Sequence, residues 1–144
     1  MGKIADLLKI KISKITRGEI KVELTFAPDV YEVLKHEATN FQNEIAAIGT
    51  AEFEDGIWKV HIIKIPEQER FPYLVRVKEF PKGFNAVFHL HPYGVQSFSR
   101  MDYEYLNQNY DVSIVVDVTG NGMVCVRDNE NEVFIVDGFK LKWL

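Results

Sequence analysis

The sequence predicts an α/β domain in which two helices pack on a mixed, mostly antiparallel β-sheet. Several short segments alternate apolar with polar residues, as strands with one buried face do. Turn-forming residues separate these segments, and Asp55-Gly56 is the clearest signal of a tight hairpin. One longer segment instead repeats its apolar residues at helical spacing.

The length, charge and hydropathy of the chain limit its organisation and its partners. A chain of 144 residues without repeats or linker-like runs predicts a single domain over residues 1–144. The net charge of -4 offers no basic surface to a phosphate backbone, so no nucleic-acid partner is expected. No apolar stretch approaches the roughly 20 residues that cross a bilayer, and the first residues do not resemble a signal peptide. We therefore expect a cytoplasmic protein without a membrane partner.

The N-terminal third is predicted to contain a hairpin and the first helix. Apolar and polar residues alternate at 10–15 and 20–26, on either side of an Arg-Gly-Glu turn. Residues 1–17 are therefore expected to form an N-terminal arm or a hairpin strand. Pro28 marks the helix start, and apolar residues at helical spacing extend that helix to about Asn43. The residue that follows this predicted helix is Glu44.

A second hairpin is predicted after this helix. Residues 45–53 and 57–65 flank a Glu-Asp-Gly turn, whose Asp-Gly pair suits a tight hairpin, and should form two paired strands. The segment 66–83 contains three prolines and is predicted to be a loop with one short strand at 73–77.

The C-terminal half should complete the sheet and supply the second helix. Residues 85–91 are typical of a buried strand, which a Pro-Tyr-Gly turn ends. The second helix is expected to begin at Ser99 or Asp102 and to end near Asn109. The last three strands are expected at 112–118, 122–127 and 132–136.

The cysteine content limits the chemistry that the chain can perform. Cys125 is the only cysteine, which excludes an internal disulfide and a multi-cysteine metal cluster within one chain. Its place in an alternating apolar segment predicts a buried structural thiol. Any metal site must therefore use His, Asp and Glu.

Two histidines on the predicted strand 85–91 form half of a candidate zinc site. His89 and His91 should project from the same face, because side chains alternate along a strand, while Leu90 points into the opposite layer. Asp102, in the first turn of the second helix, can return as a third ligand. Three protein ligands leave one tetrahedral position of zinc open to water, which is the layout of a catalytic site.

Amide hydrolysis at such a site also needs a base and a donor to the developing oxyanion. Glu44, at the junction between helix and strand, is the best candidate for the base, and Glu104 is the next. Ser99 lies three residues before Asp102, about one helical turn away, and is the candidate oxyanion donor.

Each of these residues also has a purely structural interpretation. A single histidine on an apolar strand is usually a hydrogen-bonded core residue, and Ser99 or Asp102 could cap the second helix. For Glu44 the ordinary expectation is an exposed glutamate without a catalytic role. His36 and His61 have no partner at ligand spacing and are expected to be structural. The combined spacing is what favours zinc.

These residues resemble the motif of the JAMM (JAB1/MPN/Mov34) metalloproteases, which is a glutamate followed later by His-x-His, seven residues, Ser, two residues and Asp. His89-Leu90-His91, Ser99 and Asp102 reproduce that spacing without a gap. The strand that starts at Glu44 is similar to the family's Glu-x-x-Gly-x-x-x-Gly strand, with alanine at both glycine positions. The resemblance covers the core region 22–118.

The resemblance implies a small prokaryotic-type catalytic domain with the JAB1/MPN architecture, a curved sheet flanked by helices in the cytidine-deaminase-like group. His89, His91 and Asp102 would bind one Zn²⁺ per chain, Glu44 would be the general base, and Ser99 would steady the oxyanion. The implied reaction is hydrolysis of the isopeptide or peptide bond after the C-terminal tail of a ubiquitin-like or sulfur-carrier protein.

Other interpretations stay open at this point. The chain could be a non-catalytic MPN-type scaffold or binding module, and a role in DNA repair has the acidic balance against it. A zinc-dependent nucleobase deaminase is excluded, because it needs a Pro-Cys-x-x-Cys element. The aromatic residues of 66–83 and 93–97 could wall a groove for a substrate tail or simply pack. The oligomeric state is also open, and a homodimer is one option.

Overall fold

An eight-stranded mixed sheet and a separate two-stranded hairpin make up the described β-structure. The computed structural model describes residues 12–15, 21–79, 81–95, 110–127 and 133–143. The helix α1 is Pro28–Thr39, and the strands are β1 Ile12–Ile15, β2 Lys21–Phe26, β3 Ile45–Glu54, β4 Ile57–Lys64, β5 Gln68–Phe71, β6 Leu74–Val77, β7 Ala86–His91, β8 Val112–Asp117, β9 Asn121–Arg127 and β10 Val133–Lys140.

The large sheet is curled. Its strand order is β1-β10-β9-β8-β7-β3-β4-β2, so β1 and β2 form opposite edges although only residues 16–20 separate them. In a flat sheet with strands about 4.8 Å apart, the two edges would lie roughly 34 Å from one another. The short connection between Ile15 and Lys21 reaches at most about 22 Å. The sheet therefore has to bend its edges towards each other.

Parallel and antiparallel pairs alternate irregularly across this sheet. The pairs β1–β10, β7–β8 and β2–β4 are parallel, and the remaining neighbours are antiparallel. The hairpin β5–β6 is antiparallel as well. The mixed and mostly antiparallel sheet expected from the sequence is thus present.

The two faces of the sheet bury different clusters. The main core lies between one face and α1, and its large buried members include Leu34, Ile45, Ile62, Phe88, Leu90 and Ile114. A smaller cluster on the other face consists of Ala46, Ile48, Val75, Val77, Val87 and Tyr110. Because every residue of β7 and β8 is buried, both strands are near-continuous apolar runs rather than alternating ones.

The second predicted hairpin is confirmed. Strands β3 and β4 pair antiparallel, with Glu54 opposite Ile57. Asp55 (φ 53°) and Gly56 (φ 78°) both adopt the left-handed conformation that a tight hairpin turn requires. Within the described ranges no helix is long and apolar enough to cross a membrane.

The first predicted hairpin is wrong. The described parts of the two segments, 12–15 and 21–26, do not pair with each other, because β1 runs parallel to β10 and β2 runs parallel to β4. Both partners are distant in sequence, so local alternation could not reveal them.

Two further boundaries differ from the prediction. The helix α1 ends at Thr39 rather than near Asn43, with the Asn40 N–H donating to the His36 carbonyl. The segment 66–83 holds two strands, β5 and β6, instead of one. The predicted second helix at 99–109 lies outside the described residues.

Two carboxamide side chains extend the hydrogen bonding of β3 beyond its neighbours. The Gln68 amide accepts from the Ala46 N–H at 2.9 Å and donates to the Ala46 carbonyl at 2.9 Å. Asn85 does the same at Ala51, with distances of 2.7 and 2.9 Å. A buried backbone group without a partner costs free energy, so these side chains complete the strand where β4 and β7 stop.

Candidate metal centre

The two histidines of β7 lie side by side on the face of the sheet opposite α1. His89 and His91 are almost fully buried, and their ring centroids are 6.1 Å apart with an angle of 27° between the planes. Leu90 belongs to the main core on the other face. The alternation predicted from the sequence is therefore present, and it brings two imidazoles together.

Glu44 lies directly beside this pair. It precedes Ile45, which pairs with Leu90, so the antiparallel register brings Glu44 opposite His91 on the neighbouring strand. The Glu44 Oε1 lies 3.5 Å from His91 Nε2, and both side chains are buried. The structure thus brings three of the five sequence-predicted site residues together.

The backbone of Glu44 is fixed by the hairpin β5–β6. The Glu44 N–H donates to the Phe71 carbonyl at 2.9 Å. The Arg70 guanidinium donates to the carbonyls of Glu44 (2.9 Å) and Asn43 (3.1 Å). The same guanidinium pairs with the Glu37 carboxylate on α1 at 2.8 Å. The residue before β3 is therefore held between the helix and the hairpin.

Sequence reasoning missed a further acidic residue of this region, Asp117. The parallel register of β7 and β8 pairs it with His91, so Glu44, His91 and Asp117 form one row across three neighbouring strands. Asp117 is completely buried. An aspartate that ends an apolar strand and precedes a Thr-Gly turn was the available signal, but only the register connects it to His91.

The other two predicted site residues, Ser99 and Asp102, lie outside the described residues. Within the described ranges, no group of three or more His, Cys, Asp and Glu residues is arranged to hold a metal ion. Two of the three candidate ligands, His89 and His91, fall in those ranges.

The donor set that is described fits zinc. Paired imidazoles are ligands that zinc accepts, whereas calcium and magnesium prefer sites built from oxygen. The burial of His89 and His91 also suits a metal centre, because a dry environment strengthens electrostatic interactions within it.

The remaining candidate nucleophile and histidines lie elsewhere. Burial raises the pKa of the Cys125 thiol to about 12, although the nearby charge of Arg127 lowers it. Cys125 is thus the buried structural thiol that the sequence predicts. His61 lines a solvent-facing groove of about 360 Å³ on β2, β3 and β4, and its Nδ1 lies 2.6 Å from the Thr25 hydroxyl. His36 is exposed on α1.

Comparison with known proteins gives a likeness in structure. No protein-family model matches the chain, and no curated protein matches it. Among solved structures, the chain is similar to a JAB1/MPN domain protein from Archaeoglobus fulgidus, with 15% sequence identity, coverage of 89% of this chain and 97% of that chain, and a TM-score of 0.43. The chemistry of the site therefore rests on the residues of this chain.

Proposed function

We propose that this chain is a JAMM-type zinc metalloprotease that hydrolyses the isopeptide or peptide bond after the C-terminal tail of a ubiquitin-like or sulfur-carrier protein. The observation that carries the proposal is the buried pair His89 and His91 with the Glu44 carboxylate 3.5 Å from His91 Nε2. Imidazoles that bind a metal and a nearby carboxylate that serves as base are groups that metal-assisted hydrolysis uses.

The proposed roles follow from the chemistry of each group. His89 and His91, together with Asp102, would hold the metal. When bound, zinc would supply Lewis acidity that polarises an amide carbonyl and lets water ionise near neutral pH. Glu44 would accept the proton of the attacking water at its carboxylate and pass it to the departing amine. Ser99 is proposed to donate a hydrogen bond to the oxyanion.

The described residues also support a place for the substrate tail. Phe71, whose carbonyl accepts from the Glu44 N–H, is 44% exposed, and Tyr73 beside it is 79% exposed. Tyr93, two residues beyond His91, is 79% exposed as well. Exposed apolar surface is a feature of ligand-binding grooves where it is contiguous. We propose that these side chains contact an extended tail on either side of the scissile bond.

The test is cleavage of a panel of ubiquitin-like and sulfur-carrier fusions by zinc-loaded protein. Glu44→Gln should retain the metal and lose at least about 100-fold in turnover, the range that general acid–base catalysis supplies. Glu52→Gln is the matched control, because Glu52 is an exposed glutamate on β3, the strand that Glu44 directly precedes. It should keep both the metal and the turnover.

Two results would overturn the proposal. Cleavage that survives complete removal of the metal would exclude the mechanism. A preparation that binds no zinc and cleaves no fusion, yet holds a protein partner tightly, would favour the alternative of a non-catalytic scaffold.

A further inference from the structure

The carboxylate of Asp117 is buried at the end of β8, in the row that contains His91. A buried charge is costly unless hydrogen bonds compensate it. Asp117 Oδ1 accepts from the Thr119 N–H (2.8 Å), the Thr119 hydroxyl (2.5 Å) and the Asn121 N–H (3.3 Å). Asp117 Oδ2 accepts from the Gly94 N–H at 3.1 Å.

These bonds join two turns that are far apart in sequence. Thr119 lies in the turn between β8 and β9, and Asn121 is the first residue of β9, whereas Gly94 belongs to the turn that leaves β7 directly after His91. In that second turn, the Val95 N–H donates to the Pro92 carbonyl at 3.0 Å, and Gly94 has a φ of 80°. Asp117 therefore anchors the exit of the histidine strand to its neighbour.

Direct metal ligation by Asp117 is the competing explanation for a buried carboxylate in this row. Both oxygens of Asp117 accept from N–H or O–H donors that follow β7 and β8, with three bonds to Oδ1 and one to Oδ2. A carboxylate has about four lone-pair sites, so these bonds occupy most of them and favour a role in fixing the backbone.

We infer that Asp117 is a positioning residue of the metal centre, whose bond to the Gly94 N–H sets the direction in which the chain leaves His91. This inference rests on the proposed function, since it assumes that His89, His91 and the later Asp102 bind zinc. Groups that orient metal ligands typically contribute about 10- to 100-fold to metal affinity. Asp117 is expected to contribute in that range without touching substrate.

Asp117→Asn separates the two halves of this network. The amide oxygen can still accept from Thr119 and Asn121, but the amide nitrogen then faces the Gly94 N–H, and two donors cannot bond each other. Thr119→Val is the matched control, because it removes a hydroxyl donor to the same carboxylate and leaves the Gly94 bond intact. Gly94→Ala is a second probe of the turn: its φ disfavours a side chain, while no atom lies within 4 Å of the new Cβ.

The experiment measures the zinc dissociation constant by competition with a chromophoric chelator, on protein shown to be folded by urea titration. The visible absorption of Co²⁺-loaded protein serves as a second readout. Asp117→Asn should raise the dissociation constant about 10-fold or more and change the cobalt spectrum. Thr119→Val should stay below this 10-fold change, because the N–H groups of Thr119, Asn121 and Gly94 still donate to the carboxylate. If Asp117→Asn does not fold, Gly94→Ala should show the weakened affinity in its place.

The outcomes separate this inference from the proposed function. Wild-type protein that binds zinc, with Asp117→Asn or its substitute Gly94→Ala binding equally well, would overturn the inference and leave the zinc site standing. Equal losses in Asp117→Asn and Thr119→Val would also overturn it, because the Gly94 bond would then not be responsible. Wild-type protein that binds neither metal would overturn both.

Discussion

Replacing Arg70 with methionine should destabilise the protein, because the guanidinium connects three parts of the fold. It donates to the carbonyls of Asn43 and Glu44 and pairs with Glu37 on α1. Methionine keeps most of the aliphatic stem, so the substitution removes these polar contacts and little of the packing.

The expected loss follows from the burial of each contact. Hydrogen bonds from a charged donor contribute about 1.5–3 kcal/mol each, and the lower value applies to the two carbonyls because the region is only partly buried. The side chains of Arg70 and Glu37 are 27% and 20% exposed, so screening limits their ion pair to about 0.5 kcal/mol. Arg70→Met should therefore lower the free energy of unfolding by about 3.5 kcal/mol.

Urea denaturation measures this loss. With a slope near 2 kcal/mol per molar urea, the midpoint should fall by about 1.8 M at unchanged slope. Glu37→Gln is the control, since it weakens the ion pair and keeps both carbonyl bonds, and it should cost under about 1 kcal/mol. Equal effects of the two substitutions would refute the reasoning, because the bonds to the backbone before β3 would then contribute nothing.

Two further predictions concern close packing and pH. Gly49→Ala should lower the free energy of unfolding by about 2 kcal/mol or more, because the new Cβ would lie 1.8 Å from the His61 carbonyl oxygen. In Gly56→Ala the new Cβ meets no atom within 4 Å. A melting temperature of Gly49→Ala no lower than that of Gly56→Ala would contradict this prediction. The raised pKa of Cys125 means that, from about pH 9 to about 12, the folded protein keeps a proton that the unfolded chain has lost, so stability falls as pH rises. The free energy of unfolding of wild type and Cys125→Ala can be compared at pH 9.5 and 10.5. Between these values the wild type should lose about 1.4 kcal/mol more of that free energy than Cys125→Ala does. Equal losses in the two proteins would exclude this effect.

The strands whose signals are local could be predicted from the sequence. The Asp-Gly turn fixes the hairpin β3–β4, because its two residues tolerate the left-handed conformation. The apolar run of β7 and the alternation of side chains place His89 and His91 on one face. Neither inference needs any knowledge of distant contacts.

The elements that depend on distant contacts could not be predicted. The sequence pattern of strands β1 and β2 is typical of a hairpin, but each strand pairs in parallel with a strand that is distant in sequence. The strand β5 lies between two prolines, which favour a loop in the sequence pattern. Its residues Gln68 and Arg70 form hydrogen bonds to backbone groups more than 20 residues away. Sequence patterns describe the faces of an element and not the neighbour that it meets.

The candidate site likewise contains residues that the sequence could identify and one that it could not. Residue types and spacing were enough to select His89, His91 and Glu44, and the register of β3 and β7 brings these three together. Asp117 was missed because it follows in the next strand, where only the parallel register sets it opposite His91. The assignments of Ser99 and Asp102 stay predictions.

The most direct test of the zinc centre is the intact mass of the native protein after zinc loading and exhaustive dialysis. We predict one zinc ion per 16.7 kDa chain, and loss of that ion in His91→Ala but not in His61→Ala. A wild-type mass equal to that of the bare chain, or zinc retained equally by both variants, would contradict a zinc centre at His89 and His91.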